Sequence, residues 1–214
     1  KYFASSLIED IEKAKSFSNL LNNLNYENKV VYQDELKKKL GTSFYNVGVY
    51  TSGGVLLNPG KLIRSMIDTL SDNVDLFENT QLLSWKKNNN KIVCNFGKNI
   101  IETQKIIFCT NGFLRSLKVK KNYSFPLTLT ASMTRPLSKN EFENLGSPKE
   151  WGVLPIRPMG ATIRLTKDKR ILIRNTAELK NPNIMNSNDL LKRIKKHSLG
   201  IKKRFPNLPN DIIE

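Results

Sequence analysis

Side chains able to do chemistry are sparse in this chain. The single histidine, His197, sits among Lys192, Arg193, Lys195 and Lys196, so a Ser-His-Asp or Cys-His device has little to build on. Cys94 and Cys109 both lie in apolar runs, and no Cys/His cluster has metal-ligand spacing. We expect two buried thiols of a reducing compartment and no metal. Ile106-Ile107-Phe108-Cys109 is wholly apolar and runs directly into Thr110-Asn111-Gly112. The apolar run predicts a strand buried on both faces. A parallel strand that ends in a small polar turn presents backbone N–H groups at the carboxyl edge of a sheet, where α/β folds bind ligands. The plainer reading is a strand-ending turn in which Gly112 supplies a left-handed backbone. Arg157 and Arg174 have the forked donor geometry that grips a carboxylate, although each also reads as a surface arginine. Trp85 and Trp151 read as packing residues.

These residues need elements to hold them. Phe3, Leu7, Ile11, Ala14, Phe17, Leu21 and Leu24 recur at spacings of three and four and predict an amphipathic helix of about six turns. Val30 to Tyr32 reads as a short strand, Gln33 to Leu40 as a helix stopped by Gly41, and Phe44 to Tyr50 as a strand. Thr51-Ser52-Gly53-Gly54 is a turn before a short apolar strand, Val55 to Leu57. Asn58 as cap and Pro59 at the first helical position mark a helix whose apolar face is Leu62, Ile63, Met66, Ile67 and Leu70. Val74 to Phe77 reads as a strand. A three-stranded meander follows over Gln81–Lys86, Lys91–Phe96 and Ile100–Glu102, with turns at Asn88-Asn89-Asn90 and Gly97-Lys98-Asn99. Beyond Gly112 the texture becomes antiparallel. Strands are expected at Leu127–Thr134, Trp151–Ile156, Ala161–Leu165 and Arg170–Thr176, with a capped helix from Ser138 and a basic amphipathic helix from about Asn186 to Arg204.

Lys plus Arg is 35 against 19 Asp plus Glu, a net charge of +16 over 214 residues. Such a surplus attracts polyanions, and a basic nucleic-acid-binding or polyanion-binding module is the alternative reading. The surplus is built from 26 Lys and only 9 Arg, alongside 25 Asn. That bias reads as A/T-rich codon usage and solvated surface, because nucleic-acid readers favour the arginine fork. No aromatic residue interleaves the basic run of the last helix to stack a base. We therefore expect no specific nucleic acid as partner. Apolar residues are 39% and charged residues 25%, which excludes wholesale disorder. No apolar run reaches membrane-spanning length and no signal peptide is visible, so a cytoplasmic location is expected. The chain opens on Lys1 in place of an initiator methionine, which predicts a piece of a longer protein.

Four stretches, taken in order, resemble the flavin-dependent amine oxidases of the D-amino-acid, glycine and sarcosine oxidase superfamily. Gly48 to Pro59 (GVYTSGGVLLNP) is similar to a glycine-rich strand leading into a P-x-x-L helix. Val74 to Leu83 is similar to the strand and threonine turn before the family's meander. Lys105 to Phe113 (KIIFCTNGF) looks like the strand that closes the flavin domain, in the Asn-Gly form of the gamma-glutamylputrescine oxidase branch. Ala131 to Leu137, Trp151 to Pro155 and Arg170 to Thr176 look like the substrate-domain sheet of that branch. The resemblance implies an α+β fold: part of an α/β FAD-binding domain with a β-meander, plus an antiparallel substrate-domain sheet covered by helices. It implies an N-terminal helix over 1–27, a first substrate-domain part over 28–57, the end of the FAD-binding domain over 58–112, and a second substrate-domain part over 113–214. FAD is the implied cofactor and a small amine or amino acid the implied substrate. The reaction the resemblance implies is oxidation of its C–N bond to an imine by hydride transfer to flavin N5. Leu82, Thr110, Asn111 and Gly112 are the implied cofactor contacts, and Tyr50, Gly53 and Gly54, with Arg157 and Arg174, the candidate substrate contacts. The resemblance identifies no catalytic residue. The family's Gly-x-Gly-x-x-Gly phosphate cradle has no counterpart in the sequence.

Overall fold

The computed structural model describes residues 1–119, 123, 127–179 and 186–214. Two compact units emerge. One combines Lys1–Leu57 and Thr128–Glu178 with the C-terminal segment, and the other is Asn58–Leu127. The architecture is α+β, with a large mixed sheet in the first unit and a separate three-stranded sheet in the second.

The first unit is built on seven strands: β1 (Tyr2–Ser5), β2 (Asn28–Tyr32), β3 (Val47–Thr51), β7 (Thr128–Met133), β8 (Trp151–Pro155), β9 (Thr162–Leu165) and β10 (Ile171–Glu178). Their order is β2-β3-β1-β8-β9-β10-β7. All neighbours pair antiparallel except β1 and β8, which run parallel. The register sorts side chains onto two faces. Tyr2, Tyr50, Trp151, Val153, Ile163, Leu165, Ile171 and Ile173 share one face, and most belong to the main core with Leu36, Leu40, Ile201 and Phe205. Helices α2 (Gln33–Leu40) and α5 (Ser187–Arg204) contribute those last partners, Phe205 from the residue that ends α5. Phe3, Val49, Gly152, Leu154, Thr162, Arg164 and Arg174 share the other face. There α1 (Ile11–Asn23) lays Ile11, Ala14, Phe17 and Leu21 against Val47 and Val49.

The predicted six-turn helix at the start of the chain is corrected. Its first residues form β1, and a short 3-10 turn over Ile8–Asp10 separates it from α1. Tyr2, Ala4 and Ser5 are buried and Phe3 packs edge-on against Phe17, so both faces of this segment are covered, as suits an interior strand. Asp10 lies at the turn, fully buried, and binds Ser5 Oγ at 2.5 Å and Lys13 Nζ at 3.0 Å. Gly41 ends α2 at φ +73°, and a Cβ there would lie 2.7 Å from the carbonyl oxygen of Leu145. The helix α4 (Lys139–Asn144) opens with the expected capping box between Ser138 and Glu141.

In the second unit, α3 (Pro59–Ile67) starts as predicted, with Asn58 Oδ1 accepting from Lys61 N at 3.0 Å. Strands β4 (Ser84–Asn88), β5 (Lys91–Asn95) and β6 (Ile100–Thr103) form the meander. Trp85 packs on Phe108 at 5.4 Å between ring centroids and donates to Leu117 O at 3.0 Å. Three strand expectations fail: Val55–Leu57, Val74–Phe77 and Ile106–Cys109 carry no ladder. The last is the largest departure, since Ile107 is 86% exposed and Cys109 is exposed, not buried. Strand character depends on a neighbour to pair with, and these apolar runs have none among the described residues. Cys94 is buried as expected. No helix among the described residues is long and apolar enough to cross a membrane.

Candidate functional site

A cavity of about 570 Å³ opens in the first unit, at the end of the sheet where β1 and β8 begin and β3 finishes. Tyr2, Tyr50 and Trp151 line it from one face of the sheet, and Gly152, Thr162 and Arg164 from the other. Tyr2 and Tyr50 sit side by side on paired strands, with ring centroids 5.2 Å apart. Burial pushes the Tyr2 phenol up, and Tyr50 and Glu35 add to the shift, so it stays protonated and able to donate at neutral pH. Trp151 is 4% exposed and stacks on Phe205, as a packing residue should. Its indole Nε1–H, however, is buried without a hydrogen-bond partner. Leu56 lies across Gly152, where a Cβ would come within 3.7 Å of its Cδ2.

The residues singled out by resemblance in this unit separate into three places. Tyr50 and Gly54 line the cavity. Gly54 packs so close to Lys1 that a Cβ would stand 2.8 Å from the Lys1 Cβ. Gly53 precedes it at φ +71°, with open space around its α-carbon. Arg174 is on the sheet face that carries Arg164, and its Nη2 donates to Thr162 Oγ1 at 3.2 Å. Arg157 is engaged elsewhere. Its Nε donates to both carboxylate oxygens of Asp10, at 2.9 and 2.8 Å, and its Nη2 to Glu9. The Arg157 hydrogen bond holds the Asp10 carboxyl far below the ordinary carboxylate range despite its burial, with Ser5 and Lys13 assisting.

In the second unit, Leu82 is half-buried just before β4. Thr110 precedes a 3-10 helix over Asn111–Leu117, and Asn111 itself has φ +45°. The Thr110 hydroxyl is buried with no hydrogen-bond partner among the described residues, and no atom lies within 4 Å of a Cβ built on Gly112. An orphaned hydroxyl of this kind fits contact with a polar group of a bound cofactor. No pyrophosphate cradle accompanies it in this sequence.

Sequence reasoning missed Arg164, Lys38, Lys39 and Lys149 as cavity residues. They come from a strand, a helix end and a loop far apart along the chain, and no local pattern connects them. The unpartnered state of Trp151 likewise has no sequence signal.

A family model described as FAD dependent oxidoreductase matches residues 3–214. No curated protein sequence matches. Among solved structures, L-proline dehydrogenase from P. horikoshii superposes with a TM-score of 0.70 at 16% identity, covering 100% of this chain and 57% of that one. Glycine oxidase from Geobacillus kaustophilus gives 0.72 at 11% identity, over 96% of this chain and 54% of its own. Glycine oxidase from Bacillus cereus gives 0.70 at 13%, over 100% and 57%. These likenesses concern the fold, and this chain spans a little over half the length of each relative. The family match runs over nearly every residue of both units, and on that basis the chain belongs to the FAD-dependent oxidoreductase family.

Proposed function

We propose that this chain is part of a flavoprotein that oxidises the C–N bond of a small amine or amino acid to an imine. The observation that carries the reading is the family match over residues 3–214. The cavity holding Tyr50 and Gly54 supports it, since it is large enough for a small organic molecule. Bound FAD would supply the hydride acceptor for the substrate's α C–H bond. The chain's own residues would bind and orient. Tyr50 would direct an amine or carboxylate through its hydroxyl, with Gly53 leaving room in the turn and Gly54 in the lining beside Lys1. Arg174 would pair with a carboxylate by its fork. Thr110, Asn111, Gly112 and Leu82 would contact the cofactor, with Thr110 contributing the hydroxyl that has no other partner. The phosphate cradle would come from sequence beyond these 214 residues. Two free thiols favour a reducing, cytoplasmic setting.

The test is to purify the full-length gene product containing this sequence and record its visible spectrum. Yellow, bound flavin that bleaches anaerobically on adding an amine or amino acid is the expected result. A protein that stays colourless after addition of FAD overturns the proposal.

A further inference from the structure

Helix α5 is seated on the first unit's sheet along one row of contacts. Arg193, 4% exposed, donates to the Glu178 carboxylate of β10, through Nε at 3.3 Å and through Nη2 as well. One turn on, His197 is 1% exposed, and its Nδ1 lies 2.7 Å from Ser132 Oγ on β7. Gly200 sits so close to the sheet that a Cβ there would stand 2.7 Å from Ile173 Cδ1. Arg204 donates to the Tyr45 hydroxyl at 3.0 Å. Phe205, which ends the helix, stacks on Trp151 with ring centroids 6.4 Å apart. One of these contacts changes its charge between pH 5 and 8. Arginine stays protonated, a carboxylate beside it stays ionised, and Gly200 on Ile173 is apolar, whereas an imidazole titrates in that window.

The surroundings of the His197 ring offer a positive charge nothing. From β7 it is faced by Ser132, with Thr130 and Thr134 on the same side of the strand, all neutral. From β10 come the Asn175 backbone and Glu178, whose carboxylate is already taken up by Arg193. On α5 itself, Arg193 and Arg204 turn toward the sheet, Asp189 serves the helix cap at Asn186, and Lys192, Lys195 and Lys196 stand exposed in water. Arg193 Nη1 is buried with no hydrogen-bond partner, so donors are already in surplus. Burial holds the His197 pKa below its ordinary value of 6.5, the Asn175 backbone works the other way, and the Arg193 charge adds to the lowering. We propose that His197 is an acid-sensitive latch: protonation of its ring shifts α5 toward a released state in which Phe205 no longer backs Trp151 in the cavity wall. The seated ring is neutral and the released ring titrates normally. The latch therefore holds fully above pH 6.5 and weakens as pH falls below it, until the seated ring itself protonates. No cofactor or substrate enters this device, so it stands apart from the oxidase reading.

The test is hydrogen–deuterium exchange of the full-length gene product containing this sequence, read by mass spectrometry across the acid side of neutrality and corrected for the intrinsic pH dependence of amide exchange. One proton taken up on opening raises the opening constant up to about tenfold for each pH unit below 6.5. Peptides from α5 should lose protection at up to that rate, while those from β2 and β3 stay unchanged. Over the same range, hydroxyl-radical footprinting should show oxidation of Trp151 rising from its buried level. His197→Asn keeps a neutral polar group opposite Ser132 and should remove the pH dependence of α5. Arg193→Gln frees Glu178 to neutralise the imidazolium, so α5 should be less protected at neutral pH yet less sensitive to acid; a merely weakened helix would keep the full slope. Where a variant fails to fold, the unmodified protein decides by itself. Protection of α5 that does not fall below pH 6.5 overturns the proposal. So does an equal fall in β2 and β3, which marks acid unfolding of the whole unit, an unchanged slope in His197→Asn, or a Trp151 that stays unoxidised while α5 opens.

Discussion

Asp10 shows how a residue with the chemistry of a site can serve the fold instead. Its carboxylate is fully buried, yet it accepts from Arg157, Ser5 and Lys13, so four groups from β1, α1 and the segment after β8 are tied at one point. Arg157 lies 147 residues away in sequence, and that pair fixes the start of α1 to the end of β8, the strand beside β1. Arg157 is 41% exposed and keeps Glu9, so the loss on removing the Asp10 charge is that of the charge-assisted hydrogen bonds the carboxylate accepts. Asp10→Asn should therefore lower stability to urea by about 1.5–3 kcal/mol. Adding Arg157→Gln should cost little more, because the partner that Arg157 held through Nε has already gone. A double variant as unstable as the sum of the two single changes would contradict this coupling.

Element ends are where sequence and structure agree best, because a cap is a local arrangement. Asn58 before Pro59 and Ser138 before Glu141 both act as read. Glu141 also takes a bidentate pair from Arg135, at 2.8 and 2.7 Å, and that pair, with the Ser138 backbone and hydroxyl, lowers its carboxyl from 4.5 to about 2. A carboxylate held below its unfolded value stabilises the fold fully above that value, and the contribution fades as pH falls from 4.5 toward 2. In Glu141→Gln the acid limb of stability against pH should flatten across that window; an unchanged limb would show that the cap does not couple to folding. Gly41 tests the other kind of ending. With φ at +73° and the Leu145 carbonyl 2.7 Å from a would-be Cβ, Gly41→Ala should cost at least about 1 kcal/mol in thermal unfolding. β1 was illegible for the opposite reason. Phe3, Leu7 and Ile11 happen to fall at helical spacing, while the pairing that makes Tyr2–Ser5 a strand comes from β3 and β8, about 45 and 150 residues away. The candidate site divides the same way. Tyr50 and Gly54 were readable because a strand and its turn are contiguous, whereas Trp151, Arg164 and the cavity lysines meet only through the sheet order.

At the scale of the whole chain, the two units bury their apolar residues to very different degrees. The first holds Val47, Val49, Ile163, Ile171 and Ile173 at 0–1% exposure. In the second, the apolar stripe of α3 stays open, with Leu62 at 42% and Ile63 and Met66 at 56%, and Phe77 and Ile107 are more exposed still. An amphipathic helix draws its stability from burying that stripe, so in this chain α3 rests on its cap and intrinsic propensity. Apolar surface of this extent is also a site for association or dye binding. Ile63→Lys should accordingly shift the unfolding free energy by no more than about 0.5 kcal/mol, while Ile163→Ala in the first unit costs about 2–4 kcal/mol. The same Ile63→Lys change should reduce fluorescence enhancement of a hydrophobic dye and any concentration-dependent self-association seen by light scattering. If Ile63→Lys destabilises the chain as much as Ile163→Ala, the α3 stripe is covered in solution, and the burial contrast between the units does not hold. A stable variant with less dye binding would show that the α3 stripe is exposed apolar surface that adds little to the stability of the chain.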